Sequence, residues 1–192
     1  MRVGLLGGTF DPIHLGHLRA AETAREGLGL DLVVFLPSGE PPHRTGPLAP
    51  PLDRFTMACL ASASHPHFAV WDTEVQCPGP SYTVDTLARL RAERPDDELV
   101  LVVGSDTWPE MTGWREPERL FSLAEVAVVG RPGQASPAVA PPFPGARVGR
   151  VDGPALPISA TSIRERVRRG ESVRYLVPVP VAEHIVRRGL YA

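Results

Sequence analysis

The sequence predicts an α/β fold, a doubly wound parallel sheet with helices on both faces and a small helical part at the C-terminus. Three observations predict it. Short, strongly apolar runs alternate with segments whose apolar residues recur at helical spacing. Those runs show little polar alternation, so they read as strands buried on both faces, joined by crossover helices. The runs also end in chemically rich turns, Gly7 to His17, Gly104-Ser105-Asp106 and Gly130-Arg131-Pro132-Gly133. Sheets of this kind bind ligands at the carboxyl ends of their strands, so one site is expected along that edge.

Taken in order, Arg2–Leu6 is a buried strand that stops at Gly7-Gly8, and a helix follows from about Gly16 to Leu28, with Leu18, Ala21, Ala24 and Leu28 on one face. Asp31–Leu36 is the second strand, and a Pro/Gly-rich loop runs from Pro37 to Pro51. Asp53–Ala63 is a helix with Asp53 as its expected N-cap. Phe68–Asp72 is the third strand, and Ser81 is expected to cap a helix carrying Val84, Leu87 and Leu90. Leu99–Val103 and Val126–Val129 are strands, with a short one near Arg147–Val151 after a Pro/Gly/Ala-rich excursion at 132–146. Ser162–Arg169 reads as a helix with a Ser162/Glu165 capping box. Pro180–Arg188 is the last helix, with proline at its start and Gly189 at its end. No internal repeat or second domain is visible, so residues 1–192 are expected to form a single domain.

Composition narrows the function. A net charge of −2 gives no bulk positive field for holding a nucleic-acid duplex. The chain contains neither Lys nor Asn, so arginine carries all the fixed positive charge. That excludes a lysine nucleophile, Schiff base or P-loop cation, and it suits bidentate phosphate contacts. Cys59 and Cys77 are too far apart in the chain for a C-x-x-C pair and read as reduced thiols. No apolar run approaches membrane-spanning length and no signal-peptide pattern precedes the first strand, so a cytoplasmic protein is expected.

Two segments are built for phosphate. Gly7 to His17 reads G-G-T-F-D-P-I-H-L-G-H. Its glycines permit a sharp turn and a close ligand approach. His14 and His17 share a face at a helix start, where free N–H groups and the dipole favour an anion. A bound polyphosphate would favour protonated imidazoles. A dinucleotide turn of a dehydrogenase is a weaker reading, because G-x-G-x-x-G is not matched. An H-x-x-H metal pair lacks a third ligand nearby in sequence. Ile158 to Arg166, I-S-A-T-S-I-R-E-R, clusters hydroxyls and Arg164 at another helix start.

The first of these segments resembles the signature of the nucleotidylyltransferase superfamily, a G-T-F-D-P turn followed by H-x-G-H, over eleven adjacent positions. The second resembles that superfamily's I-S-S-T-x-I-R, with Ala160 in place of one serine. The resemblance implies a Rossmann-like fold and adenylyl transfer from ATP. It implies catalytic roles for His14, His17 and Arg164, and ATP contacts from Gly7, Gly8, Thr9, Phe10, Gly104, Asp106, Ser159 and Thr161. Ala160 would act through its backbone alone.

Between the signatures, P-P-H-R (Pro41–Arg44), G-P-S-Y-T-V-D-T-L (Gly79–Leu87), G-S-D (Gly104–Asp106), Trp114 and R-P-G (Arg131–Gly133) resemble the nicotinate-nucleotide branch, as does the C-terminal V-P-x-P-V…G-L-Y. That resemblance implies nicotinate mononucleotide as acceptor, bound by Asp11, His43, Arg44, Tyr82, Thr83, Asp106, Trp114 and Arg131. It implies Mg²⁺ carried on the ATP phosphates, with no metal-ligand set in the chain. ATP and nicotinate mononucleotide are the expected partners, without nucleic acid or membrane, in a monomer or homo-oligomer. Nicotinamide mononucleotide and a pantetheine phosphate remain alternative acceptors, and a nucleotide-binding regulator remains an alternative of another class. Ser38-Gly39-Glu40 departs from the branch, where relatives often carry Asn. Either a contact to the mononucleotide is missing or Ser38 replaces it, and Glu40 must point away.

Overall fold

The computed structural model describes residues 1–42, 49–130, 139–154 and 156–192. Among them, six strands form one sheet: β1 (Arg2–Gly8), β2 (Leu32–Pro37), β3 (Phe68–Val70), β4 (Glu98–Gly104), β5 (Glu125–Gly130) and β6 (Val148–Asp152). All pairings are parallel, in the order β3-β2-β1-β4-β5-β6. The order reverses direction between β1 and β4, so a crevice opens at the carboxyl end of those two strands. Leu5 lies level with Val34 on one side and Leu101 on the other, which brings the glycine turns after β1 and β4 side by side.

The strands are apolar on both faces because both faces are covered. Helices α1 (Leu15–Leu28), α2 (Pro51–Ser62), α5 (Ala160–Arg168) and α6 (Val179–Arg188) cover one face, over Leu6, Val33, Phe35, Val100 and Val102. Helices α3 (Thr83–Glu93) and α4 (Pro117–Leu123) cover the other, over Val3, Leu5, Val34, Leu99, Leu101 and Val126. Ile163 of α5 and Ile185 of α6 are fully buried, and burying each contributes about 1.5–3 kcal/mol. That apolar contact holds the C-terminal helices against the edge where the site lies. Gly189 ends α6 in the left-handed conformation, as expected of a C-terminal glycine.

Three expected caps move. Helix α2 starts at Pro51, and Asp53 does not cap it. Instead its buried carboxylate accepts hydrogen bonds from Arg188 (3.0 Å) and His184 (2.9 Å) of α6, a tertiary demand that outweighs a local one. Arg188, with His184, holds the Asp53 carboxyl below the usual carboxylate range. Ser81 does not cap α3; its Oγ accepts from the Gly39 N–H at 3.0 Å and so joins two loops. Helix α5 starts two residues earlier than Ser162, because the Ser159 Oγ accepts from the Ser162 N–H and is itself the cap. The sequence reading also lacks α4 and the 3-10 turn Trp108–Gly113, both too short for a helical period to show.

Candidate active site

The crevice between β1 and β4 opens into two lobes with a common floor. Leu6, Gly7, Gly8, Thr9, Val102, Val103, Gly104 and Thr107 line both. One lobe, of about 370 Å³, continues along the loop after β2 and the start of α3. The other, of about 430 Å³, continues over the starts of α1 and α5. Each volume lies within the range of small-molecule sites.

The α1/α5 lobe gathers hydrogen-bond donors around one arginine, Arg164, with Asp11 and Asp106 beside it. Helix α1 starts at the His14–His17 segment, and the two imidazoles stack at 3.7 Å between centroids. A Cβ on Gly16 would stand 3.0 Å from the His14 ring, so any larger residue would press on that ring. The edge of Phe10, held at φ 50°, packs against His17 with centroids 5.1 Å apart. The His14 backbone N–H donates to Nδ1 of His17 at 3.1 Å. That bond assigns the proton of neutral His17 to Nε2. Burial, with the neighbouring His14, pushes the His17 pKa down to about 3. Across the lobe, Arg164 donates to the Asp11 carbonyl oxygen (2.7 Å) and to Thr161 Oγ1 (3.2 Å). Ser159 occupies the Ser162 N–H, so the first two N–H groups of α5, those of Ala160 and Thr161, lie at its open end. Gly104 admits Asp106 to the same lobe, since a Cβ there would collide with the Asp106 carboxylate.

The other lobe is aromatic and polar. Tyr82 precedes α3 and no side chain caps that helix, so the Thr83 and Val84 N–H groups stand at its open end, and both residues line the lobe with Tyr82 and Trp114. Arg115 lies on the Tyr82 ring, 4.6 Å from its centroid. Glu74 also lines the lobe; Thr86 donates to it at 2.8 Å, and burial raises its pKa. Ser38 is buried, and its Oγ has no hydrogen-bond partner among the described residues. Glu40 is exposed, and its backbone bridges to Pro80, so its charge points away from the lobe.

A buried framework behind the floor escaped the sequence reading. Arg54 of α2 is 1% exposed and donates to four carbonyl oxygens: Thr9 (2.8 Å), Ser38 (2.6 Å), Gly39 (2.7 Å) and Ala49 (3.0 Å). It thereby ties the turn after β1 to the turn after β2. Beside it, the Asp11 carboxylate accepts from the Tyr191 hydroxyl (2.8 Å) and the Ala49 N–H (3.1 Å). Its second oxygen faces Arg164 at 3.8 Å.

The expected site residues thus separate by lobe. Gly7, Gly8, Thr9 and Gly104 form the common floor, and Phe10, His14, His17, Asp106, Ser159, Thr161 and Arg164 line the α1/α5 lobe. Tyr82, Thr83 and Trp114 line the other. Asp11 lines the α1/α5 lobe, its carboxylate engaged by Tyr191, Ala49 and Arg164. Asp106, expected at both nucleotides, lines that lobe and not the other. His43, Arg44 and Arg131 lie outside the described residues, as does 132–138 of the excursion. Nδ1 of His17 accepts from the His14 N–H, and no group of three His, Cys, Asp or Glu side chains that could hold a metal ion occurs among the described residues. No helix among them is long and apolar enough to cross a membrane.

Comparison with known proteins agrees with this arrangement. A family model described as cytidylyltransferase-like matches residues 5–166. A Thermus thermophilus protein curated as "Probable nicotinate-nucleotide adenylyltransferase" is 47% identical, covering 100% of both chains. A Thermomicrobium roseum protein of the same name is 46% identical over 99% of this chain and 91% of its own length. In fold, the chain is similar to the nicotinic acid mononucleotide adenylyltransferase of Plasmodium falciparum complexed with NaAD. That likeness has a TM-score of 0.81 at 16% identity, over 99% of this chain and 97% of that one. With identities of this size over the full length, and with both signatures meeting at one crevice, the chain belongs to the nicotinate-nucleotide adenylyltransferase family.

Proposed function

We propose that this chain transfers the adenylyl group of ATP to nicotinate mononucleotide, giving nicotinate adenine dinucleotide and pyrophosphate. One observation carries the reading: a donor-rich lobe holding His14, His17 and Arg164 and an aromatic lobe meet over the Gly7–Thr9 turn. A dinucleotide is two nucleotides joined at their phosphates, and this crevice offers one lobe for each.

The mononucleotide phosphate is mostly dianionic at neutral pH, so it is a nucleophile without a general base. One of its oxygens attacks the α-phosphorus of ATP in line, the bond to the bridging oxygen of the β-phosphate breaks, and pyrophosphate departs with that electron pair. ATP enters as its Mg²⁺ complex, the ion held by the triphosphate, where it offsets charge. The protein's share is positioning and neutralisation. His14, His17 and Arg164 stabilise the charge that builds on the phosphates. Ser159, Thr161 and the first N–H groups of α5 hold the β- and γ-phosphates. Gly7, Gly8, Thr9 and Phe10 shape the turn against which the α-phosphate lies, and Gly104 and Asp106 hold the ATP nucleoside. Trp114 supplies a ring face for the pyridine, and Tyr82-Thr83 supplies donors for its carboxylate. Asp11 acts from behind, through Arg164. His43, Arg44 and Arg131 are assigned to the mononucleotide on resemblance alone. This work belongs to one domain spanning 1–192, in the cytoplasm.

Purified protein given MgATP and nicotinate mononucleotide should yield dinucleotide and pyrophosphate one for one. A chiral α-thiophosphate analogue of ATP should give product with inverted configuration at phosphorus. Retention would overturn direct transfer, and absence of the dinucleotide would overturn the reaction.

A further inference from the structure

Acceptor choice turns on one ring substituent, a carboxylate or an uncharged amide, and the mononucleotides that carry them share everything else. We propose that Arg115 sets this choice by favouring the acidic ring; the inference rests on the reading that the Tyr82/Trp114 lobe takes a pyridine mononucleotide.

Arg115 is the one cation lining that lobe among the described residues. Its guanidinium lies over Tyr82, the residue that precedes the open first turn of α3. A planar cation and helix N-terminal N–H groups therefore stand together beside Trp114. That is a donor set for a carboxylate, and it has no equal partner in an amide. The guanidinium is oriented without being spent. Asp85 approaches it at 3.4 Å and Glu116 at 3.8 Å, and all three side chains are about half exposed. Glu116 also pairs with Arg119 at 3.1 Å. Exposed pairs of such length are weak and exchangeable.

The lobe's carboxyl, Glu74, is buried and held by Thr86. Arg115 adds fixed positive charge to the N–H groups at the start of α3, and both favour the acid over the amide.

The test compares wild type, Arg115→Gln and Arg115→Lys, each with nicotinate and nicotinamide mononucleotides under MgATP. In Arg115→Gln, kcat/KM for the acid should fall further than for the amide, by about five- to tenfold, the order expected of a half-exposed charge contact. Arg115→Lys keeps the charge and should recover part of the ratio. Raising ionic strength should erode the wild-type preference and leave that of Arg115→Gln nearly constant. An unchanged ratio in Arg115→Gln, or an equal loss for both acceptors, overturns the assignment. Wild type making neither dinucleotide overturns instead the functional reading on which it rests.

Discussion

Replacing His17 by alanine is expected to lower kcat by about 10²- to 10³-fold, the loss typical of a donor aimed at transition-state charge. The imidazole is partly buried, its ring is wedged between His14 and the edge of Phe10, and the bond at Nδ1 commits Nε2 to donation. A donor held this way needs no reorganisation when charge builds on the phosphates. Because the interaction strengthens toward the transition state, the loss should fall mainly on kcat, with KM for MgATP changing much less. His17→Gln, which keeps a side-chain donor, should recover part of the rate. Steady-state kinetics on the three proteins decide the matter; a kcat for His17→Ala within a few-fold of wild type would remove His17 from the centre of the mechanism.

Replacing Arg54 by methionine is expected to destabilise the fold by about 3–5 kcal/mol, since one change strips a buried charge from its setting and leaves carbonyl groups without donors. For a chain of this length that corresponds to a fall in Tm of roughly 10 °C. Methionine preserves much of the volume, so the loss would report on the four hydrogen bonds and the charge rather than on a cavity. The bonded carbonyls belong to Thr9 on the shared floor and to Ser38 and Gly39 beside the aromatic lobe. KM for the mononucleotide should therefore rise in whatever protein folds at low temperature. Arg54→Lys keeps the charge but brings one compact ammonium in place of a planar fork, and should recover only part of the stability. Denaturant melts that place Arg54→Met within about 1 kcal/mol of wild type would refute this role, since even one orphaned buried group costs that much.

The sequence and the structure agree where physics is local and separate where it is long-range. Unbroken apolar strands, glycine turns and helix-spaced leucines announce a doubly wound sheet, and all the expected strands occur within two or three residues of their predicted limits. That the two phosphate segments meet was equally legible, because Gly7–His17 and Ile158–Arg166 are contiguous motifs, and residues of both line the α1/α5 lobe. Arg54 was not, because its partners are backbone carbonyls from two loops, and carbonyls have no sequence signature. Asp53 looked like a cap because its partners His184 and Arg188 lie far along the chain. The bond from Tyr191 to the Asp11 carboxylate was invisible for a similar reason, with Tyr191 close to the other terminus. Arg115 stood next to the recognised Trp114, yet only the stacking on Tyr82 shows that it belongs to the lobe. Glu40 shows the reverse, an unfavourable charge on paper that the fold turns outward.

Adenylyl transfer to a nicotinate acceptor is tested most directly by a competition experiment. The purified protein receives MgATP with equal concentrations of nicotinate and nicotinamide mononucleotides, and both dinucleotide products are quantified over time. Nicotinate adenine dinucleotide is expected to accumulate well ahead of the amide product, with one pyrophosphate released per dinucleotide. Equal products, or an excess of the amide, would contradict the acceptor assignment, and no dinucleotide of either kind would contradict adenylyl transfer in this crevice.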